Sequence, residues 1–213
     1  MSSEEIVGRA ELKLAGAVEA FGYDFRGKTV LDIGSSTGGF TELALEQGAK
    51  RVYAIEKGTN QMAKPLRYDP RIILMEKTDI FEVMVAKQRP EMRGHWMVVA
   101  GRGAVHELEG EIDTVVADVS FVSLTKVLNH VKRQIASKNT DYLIMLKPQF
   151  EAQPWQLVNG VVKNERMRRD IMKDFEQWLV RNGFLIVQKH DNELTGKNGN
   201  RERFYFLRLA RGK

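Results

Sequence analysis

The chain has no cysteine among its 213 residues. That absence excludes disulfides, thiolate metal sites and any mechanism built on a cysteine nucleophile. Histidine is scarce, and the four present (His95, His106, His130 and His190) are scattered without metal-ligand spacing, so no metal is expected. No apolar run approaches the ~20 residues that cross a bilayer. The opening residues, MSSEEIVGRAELK, contain no apolar signal core. The expectation is therefore a cytoplasmic protein with no membrane partner. Repeats, low-complexity segments and clear linkers are also missing.

What is present suits one large α/β domain. Hydrophobic residues make up 43% and charged residues 29% of the chain, which is ordinary for a soluble domain with a sizeable core. The net charge of +5 fits a polyanionic partner such as RNA, and fits simple solubility equally well. The basic residues do cluster. Arg166, Arg168, Arg169 and Lys173 form one group, and Lys197, Arg201, Arg203, Arg208 and Arg211 another.

Five apolar runs each end on a polar residue or glycine: TVLDIG (29–34), RVYAIE (51–56), RIILME (71–76), DTVVAD (113–118) and YLIMLK (142–147). Runs of this kind suit parallel strands covered on both faces. FLIVQKH and RFYFLRL near the end read as two further strands joined by a polar loop over 191–202. Helical spacing appears over 9–21, at Phe40, Leu43, Ala44 and Gln47 with Gly48 as a stop, at Leu124, Val127, Leu128, Val131 and Ile135 with Ser123 as a cap, and at Met167, Ile171, Phe175, Trp178 and Leu179. Strand and helix alternate, which predicts a doubly wound α/β sheet. Residues 86–112 are the least regular and read as an insertion, with a short hairpin expected there.

In such a sheet ligands bind beyond the carboxyl ends of the strands. The first loop there is Asp32-Ile-Gly34-Ser35-Ser36-Thr37-Gly38-Gly39-Phe40. Its glycines do not match G-x-G-x-x-G, so it is a poor dinucleotide fingerprint. An acid ahead of the first glycine is the form S-adenosylmethionine (SAM) sites use, with Asp32 facing the methionine ammonium and the glycines admitting the ligand close to the backbone. Glu56, followed by Lys57, ends the second strand and is placed to accept from ribose hydroxyls. Asp79, after the third, is placed to accept from an adenine amino group.

The fourth strand ends Asp118-Val-Ser-Phe121. It lacks the Asn/Asp-Pro-Pro-Tyr pattern of enzymes that methylate amide or adenine nitrogens. Carbon methylation through a cysteine adduct is excluded by composition. Oxygen acceptors become prominent, and a hydroxyl benefits from a positioned base. A lysine can serve if burial or a nearby cation lowers its pKa. Lys147 ends the fifth strand beside Asp118, Lys13 lies on the leading helix, and Glu202 precedes the last strand. Asp118 would hold Lys147 charged and Lys13 would oppose that; the sequence leaves the balance open.

Several segments carry a resemblance. Arg9-x-x-x-Lys13-Leu14, GKTVLDIGSSTGGFTELALEQGAKRVYAIEKGTNQM, LRYDPRI, DVSFVSL, KPQFE, GVVKN and GNRERFYFL resemble the FtsJ-like ribose 2'-O-methyltransferases, especially the hemolysin-A-like (TlyA) ribosomal RNA methyltransferases. The resemblance spans nearly the whole chain. It implies a Rossmann-like SAM-dependent fold with a seven-stranded, mostly parallel sheet and an antiparallel last strand. It also implies an RNA partner, ribosomal RNA or a ribosomal subunit. Enzymes of this kind use a Lys-Asp-Lys-Glu tetrad, which falls on Lys13, Asp118, Lys147 and Glu202. The expected organisation is a helical segment over 1–24 and the methyltransferase domain over 25–213, without the small RNA-binding domain that usually precedes it. A catalytically inactive SAM- or RNA-binding module, a hemolysin-like protein and a small-molecule O-methyltransferase are the alternatives. Trp178 has core spacing; Trp155, after Pro154, is the better candidate than Trp96 for stacking on RNA.

Overall fold

The apolar runs become the strands of one central sheet. The computed structural model describes residues 3–85, 106–196 and 199–210. In chain order the elements are α1 (Ser3–Phe21), β1 (Thr29–Ile33), α2 (Gly39–Glu46), β2 (Arg51–Glu56), α3 (Lys64–Arg67), β3 (Ile72–Glu76), β4 (Val83–Val85), β5 (His106–Leu108), β6 (Thr114–Ala117), α4 (Leu124–Gln134), β7 (Asp141–Leu146), α5 (Pro148–Glu151), β8 (Leu157–Val158), β9 (Val161–Val162), α6 (Glu165–Arg181), β10 (Phe184–Asp191) and β11 (Arg203–Leu209).

Seven of the strands form one sheet in the order β10-β11-β7-β6-β1-β2-β3. The pairs β2–β3, β1–β2, β1–β6 and β6–β7 are parallel. The last strand, β11, runs antiparallel to both β7 and β10. This is the expected doubly wound, mostly parallel sheet, with its strand order switching direction at β1.

Alternate residues of each strand enter two cores. Leu31, Ile33, Tyr53, Ile55 and Val115 face one side, and Val30, Val52, Val116 and Leu143 the other. The first side is covered by α4 and α6, through Leu124, Val127, Leu128, Val131, Met172, Phe175 and Leu179. The second is covered by α1 and α2, through Leu14, Ala17, Val18, Phe21, Phe40, Leu43 and Ala44. The 14-17-18-21 spacing puts those α1 side chains on one helical stripe. Leu14 is fully buried, and a side chain of that size contributes about 2 kcal/mol by leaving water. The leading helix is thereby packed into the same core as the sheet, which brings its polar neighbour Lys13 to the sheet's edge.

Some details depart from the expectations. Ser123 sits at the N-cap of α4, but its hydroxyl does not cap the helix. Glu151 does so instead, accepting from the Leu124 N–H at 2.6 Å. The hairpin expected within 86–112 falls largely on 86–105, outside the described residues. The part described, β5, pairs with β4 in parallel. A second small ribbon, β8–β9, was not legible as strands because each contributes two residues.

Candidate active site

Register sets the site. In the β1–β6 ladder Ile33 lies opposite Ala117, so the glycine loop and Asp118 leave the sheet side by side. Arg203 lies opposite Leu146, so Glu202 emerges next to Lys147. Asp32, Asp118, Lys147 and Glu202, all predicted from the sequence as site residues, thus collect around the carboxyl edge of β1, β6 and β7.

The turn after β1 depends on two glycines. Gly34 has φ +81° and a Cβ there would come within 2.8 Å of the Asp118 carbonyl oxygen. Gly38 has φ +102° and a Cβ would meet Leu66 at 2.5 Å. Both left-handed conformations disfavour any other residue. Gly34 and Ser35 donate their N–H groups to the Ile55 carbonyl, Ser36 adopts φ 48°, and Thr37 accepts at its carbonyl from the Ala63 N–H. Gly39 and Phe40 then open α2, with Phe40 buried in the core.

Asp32 is fully buried beneath this turn. Its Oδ2 accepts from the Thr41 hydroxyl at 2.7 Å, while its Oδ1 is buried with no hydrogen-bond partner among the described residues. Burial pushes the carboxyl up to about 7; Asp118 and Glu56 add to the rise, and the Thr41 bond opposes it. A buried carboxylate oxygen without a donor is a ready acceptor for an ammonium group. The Ser35 hydroxyl is buried and unpartnered in the same way. Glu56 accepts from the Ser36 N–H at 2.9 Å and the Gly58 N–H at 2.6 Å, and each carboxylate oxygen retains acceptor capacity for a diol. Asp79 caps the short turn after β3, accepting from the Phe81 N–H at 3.2 Å. Its other oxygen pairs with the largely exposed Lys57 at 3.0 Å.

Two ion pairs complete the edge. Lys147 and Asp118 form one, and Lys147 also donates to the Ser120 hydroxyl at 3.0 Å. Lys13 and Glu202 form the other, at 2.5 Å. Glu202 is 3% exposed, enclosed in part by Gly196, where a Cβ would lie 2.7 Å from Glu202 Oε1. Each of the four predicted tetrad residues therefore has a partner within the tetrad. Lys13 faces Glu202.

A family model described as FtsJ-like methyltransferase matches residues 6–209. The chain belongs to this family. It is 36% identical, over 95% of its length and 68% of the relative's, to a protein of Mycobacterium tuberculosis named 16S/23S rRNA (cytidine-2'-O)-methyltransferase TlyA. It is 32% identical, over 96% of its length and 71% of the relative's, to the 23S rRNA (cytidine-2'-O)-methyltransferase TlyA of Campylobacter jejuni. A solved hemolysin-type structure from Lactococcus lactis superposes with a TM-score of 0.80 at 33% identity, covering 96% of this chain and 88% of that one.

In this FtsJ-like methyltransferase the structure adds two residues that the sequence reading did not single out. Phe121, in DVSFVSL, is 93% exposed and holds φ 63°, three residues from Asp118. Its ring meets Phe150 at 5.2 Å between centroids. A non-glycine residue in this left-handed conformation costs roughly 1–2 kcal/mol. Glu151, in KPQFE, ties the two motifs together by accepting from Leu124 N–H and from the Ser123 hydroxyl at 2.7 Å. Only a three-dimensional contact reveals that role. Among the tryptophans, Trp178 stacks near Phe175 and Phe184 as core packing, Trp155 is 63% exposed, and Trp96 lies outside the described residues. Of the basic groups, Lys197 and Arg211 also lie outside them. Arg168 is no solvated cation: it is buried against Asp191 at 2.9 Å.

Proposed function

We propose that the protein transfers the methyl group of SAM to a ribose 2'-hydroxyl of RNA, with ribosomal RNA as the substrate. The observation that carries this reading is the placement of the Lys147–Asp118 pair at the strand end beside the glycine loop, with Lys13–Glu202 at the next strand. Relatives named as cytidine-2'-O-methyltransferases support the substrate class. SAM supplies an electrophilic sulfonium methyl. Asp32 and Glu56 are the acceptors for its ammonium and ribose hydroxyls, and the Gly34–Gly38 turn lets a ligand approach the backbone.

Lys147 has three N–H donors. Its ammonium is ion-paired with Asp118 and donates to Ser120, and it keeps donor capacity for the acceptor hydroxyl. That bond would orient the acceptor oxygen toward bound SAM, which would supply the methyl group and leave with the carbon–sulfur electron pair on its sulfur, while Asp118 or solvent would take the hydroxyl proton. Orientation of this kind contributes a large share of rate in bimolecular transfers. Phe121 and Phe150 form the adjacent stacking surface for a base.

The test is transfer of labelled methyl from SAM to ribosomal subunits, naked ribosomal RNA and transfer RNA, followed by mapping of the product. A ribose-methylated ribosomal nucleotide is expected. Label confined to protein, base atoms or a small molecule overturns the reading.

A further inference from the structure

A groove of about 250 Å³ opens beside the candidate active site. Pro148, Lys163, Glu165, Arg168, Asn200 and Arg201 are among its lining residues. Pro148 follows Lys147 in the chain and Arg201 precedes Glu202, so two of the four tetrad residues stand one residue from its wall.

The walls are joined to one another. Asn200, itself buried, accepts from the Val162 N–H at 3.1 Å and donates to the Gly160 carbonyl at 3.0 Å. Arg168 donates to the Arg201 carbonyl at 3.1 Å. These bonds hold the β8–β9 ribbon, the start of α6 and the approach to β11 as one concave surface. Charge is distributed unevenly across it. The guanidinium of Arg168 donates to Asp191 at 2.9 Å, a carboxylate it shares with Arg203, and lies 3.7 Å from Glu165. Arg201, 63% exposed in its side chain, reaches Glu165 only at 3.6 Å. Lys163 is exposed and among the described residues belongs to no ion pair. The rim therefore carries cationic charge beyond what Glu165 balances.

The chemistry of ribose says what comes next to a reacting 2'-hydroxyl. The adjacent carbon carries the 3'-oxygen, and in RNA that oxygen bears a phosphodiester. We propose that this groove receives the 3'-phosphodiester of the nucleotide being methylated, with Lys163 and Arg201 as its cationic contacts. The inference rests on the RNA 2'-O-methylation reading above and adds the direction in which the strand leaves the site.

The test compares the wild type with Lys163→Gln, Arg201→Gln and the double variant in methyl transfer to the mapped RNA substrate over a range of salt concentrations. SAM affinity serves as the control for folding. The double variant should raise KM for RNA about tenfold, the scale of a lost charged hydrogen bond, with kcat and SAM affinity little changed. Its salt dependence of binding should be shallower by about 0.7 in log–log slope for each phosphate of a single strand that the protein no longer neutralises. A substrate with an uncharged methylphosphonate 3' of the target ribose should show the same loss with the wild type and no further loss with the double variant. A wild type that methylates RNA while the variants keep its KM and salt slope overturns the groove assignment and leaves the functional reading standing. So does a further full loss by the double variant on the methylphosphonate substrate. A wild type that methylates no RNA removes the functional reading and this inference with it. Lys163→Gln changes an exposed side chain, so its result stands even where Arg201→Gln disturbs the neighbouring Glu202.

Discussion

Lys147 and Asp118 end neighbouring parallel strands, and their side chains meet as an ion pair that is largely withdrawn from solvent. The pair explains why a core strand finishes on an ammonium group. Asp118 compensates the charge, and the Pro148 that follows begins a helical turn with Lys147 at its N-cap. The turn directs the next residues away from the sheet and leaves the lysine at its edge.

Lys147→Ala should reduce methyl transfer by at least about 100-fold, the low end for a positioned proton-transfer or orienting group. SAM affinity, measured by calorimetry, should be nearly unchanged, because Lys147 is not among the residues assigned to that ligand. Full turnover by the variant would remove the role.

Asp32 should make both stability and ligand binding depend on pH. Its carboxyl is raised in the folded chain to about 7, chiefly by burial. The native state therefore holds this proton more tightly than the unfolded state. The associated stability is complete below the ordinary carboxylate range and is lost as pH rises toward 7. The Tm of the ligand-free protein should fall over this interval, and less so in Asp32→Asn. SAM affinity should move the other way, strengthening from pH 6 to 7.5 as the carboxylate forms. A parallel pH profile in Asp32→Asn would contradict the assignment.

Removing one member of the Lys13–Glu202 pair should destabilise the protein by about 3 kcal/mol, because a buried charge is left without its partner. The side chains are 10% and 3% exposed. Urea unfolding of Lys13→Met, Glu202→Gln and the double variant measures this. The double variant should be less destabilised than the sum of the single changes. Strict additivity would mean the two do not interact.

Glu151 should act at a distance from the reacting atoms. Glu151→Ala removes the cap of α4, a loss of about 1 kcal/mol, and frees the segment that carries Ser120 and Phe121. A fall in kcat with little change in SAM affinity is expected, with partial rescue by Glu151→Gln, whose amide oxygen can still accept from Leu124 N–H. An alanine variant that loses stability alone, with kcat intact, would confine Glu151 to a structural role.

Phe121→Gly should move stability and substrate binding in opposite directions. Glycine relieves a left-handed backbone that costs other residues roughly 1–2 kcal/mol, so Tm should hold or rise. Loss of a stacking surface should raise KM for RNA about tenfold, within the range of base–aromatic stacking. Unchanged KM would sink the stacking role.

Much of this was legible in the chain. The alternation of apolar runs with helical stripes specified a doubly wound sheet, because both periodicities report which faces leave water. The loop from Asp32 to Phe40 declared a close-approach turn through its glycines, and the spacing of polar residues at strand ends marked one edge as the site. The resemblance carried Lys13, Asp118, Lys147 and Glu202 as a set, and the neighbouring strand ends already put Lys147 beside Asp118. Only the tertiary structure decided that Lys13 pairs with Glu202. Lys13 and Glu202 are far apart in sequence, and their contact depends on α1 packing against the sheet and on the β7–β11 register. The same is true of Glu151 replacing Ser123 as the cap, of Arg168 pairing with Asp191, and of the groove shared by Lys163 and Arg201. Periodicity records burial along a single element; it holds no information about which polar groups from distant elements meet once those elements have packed.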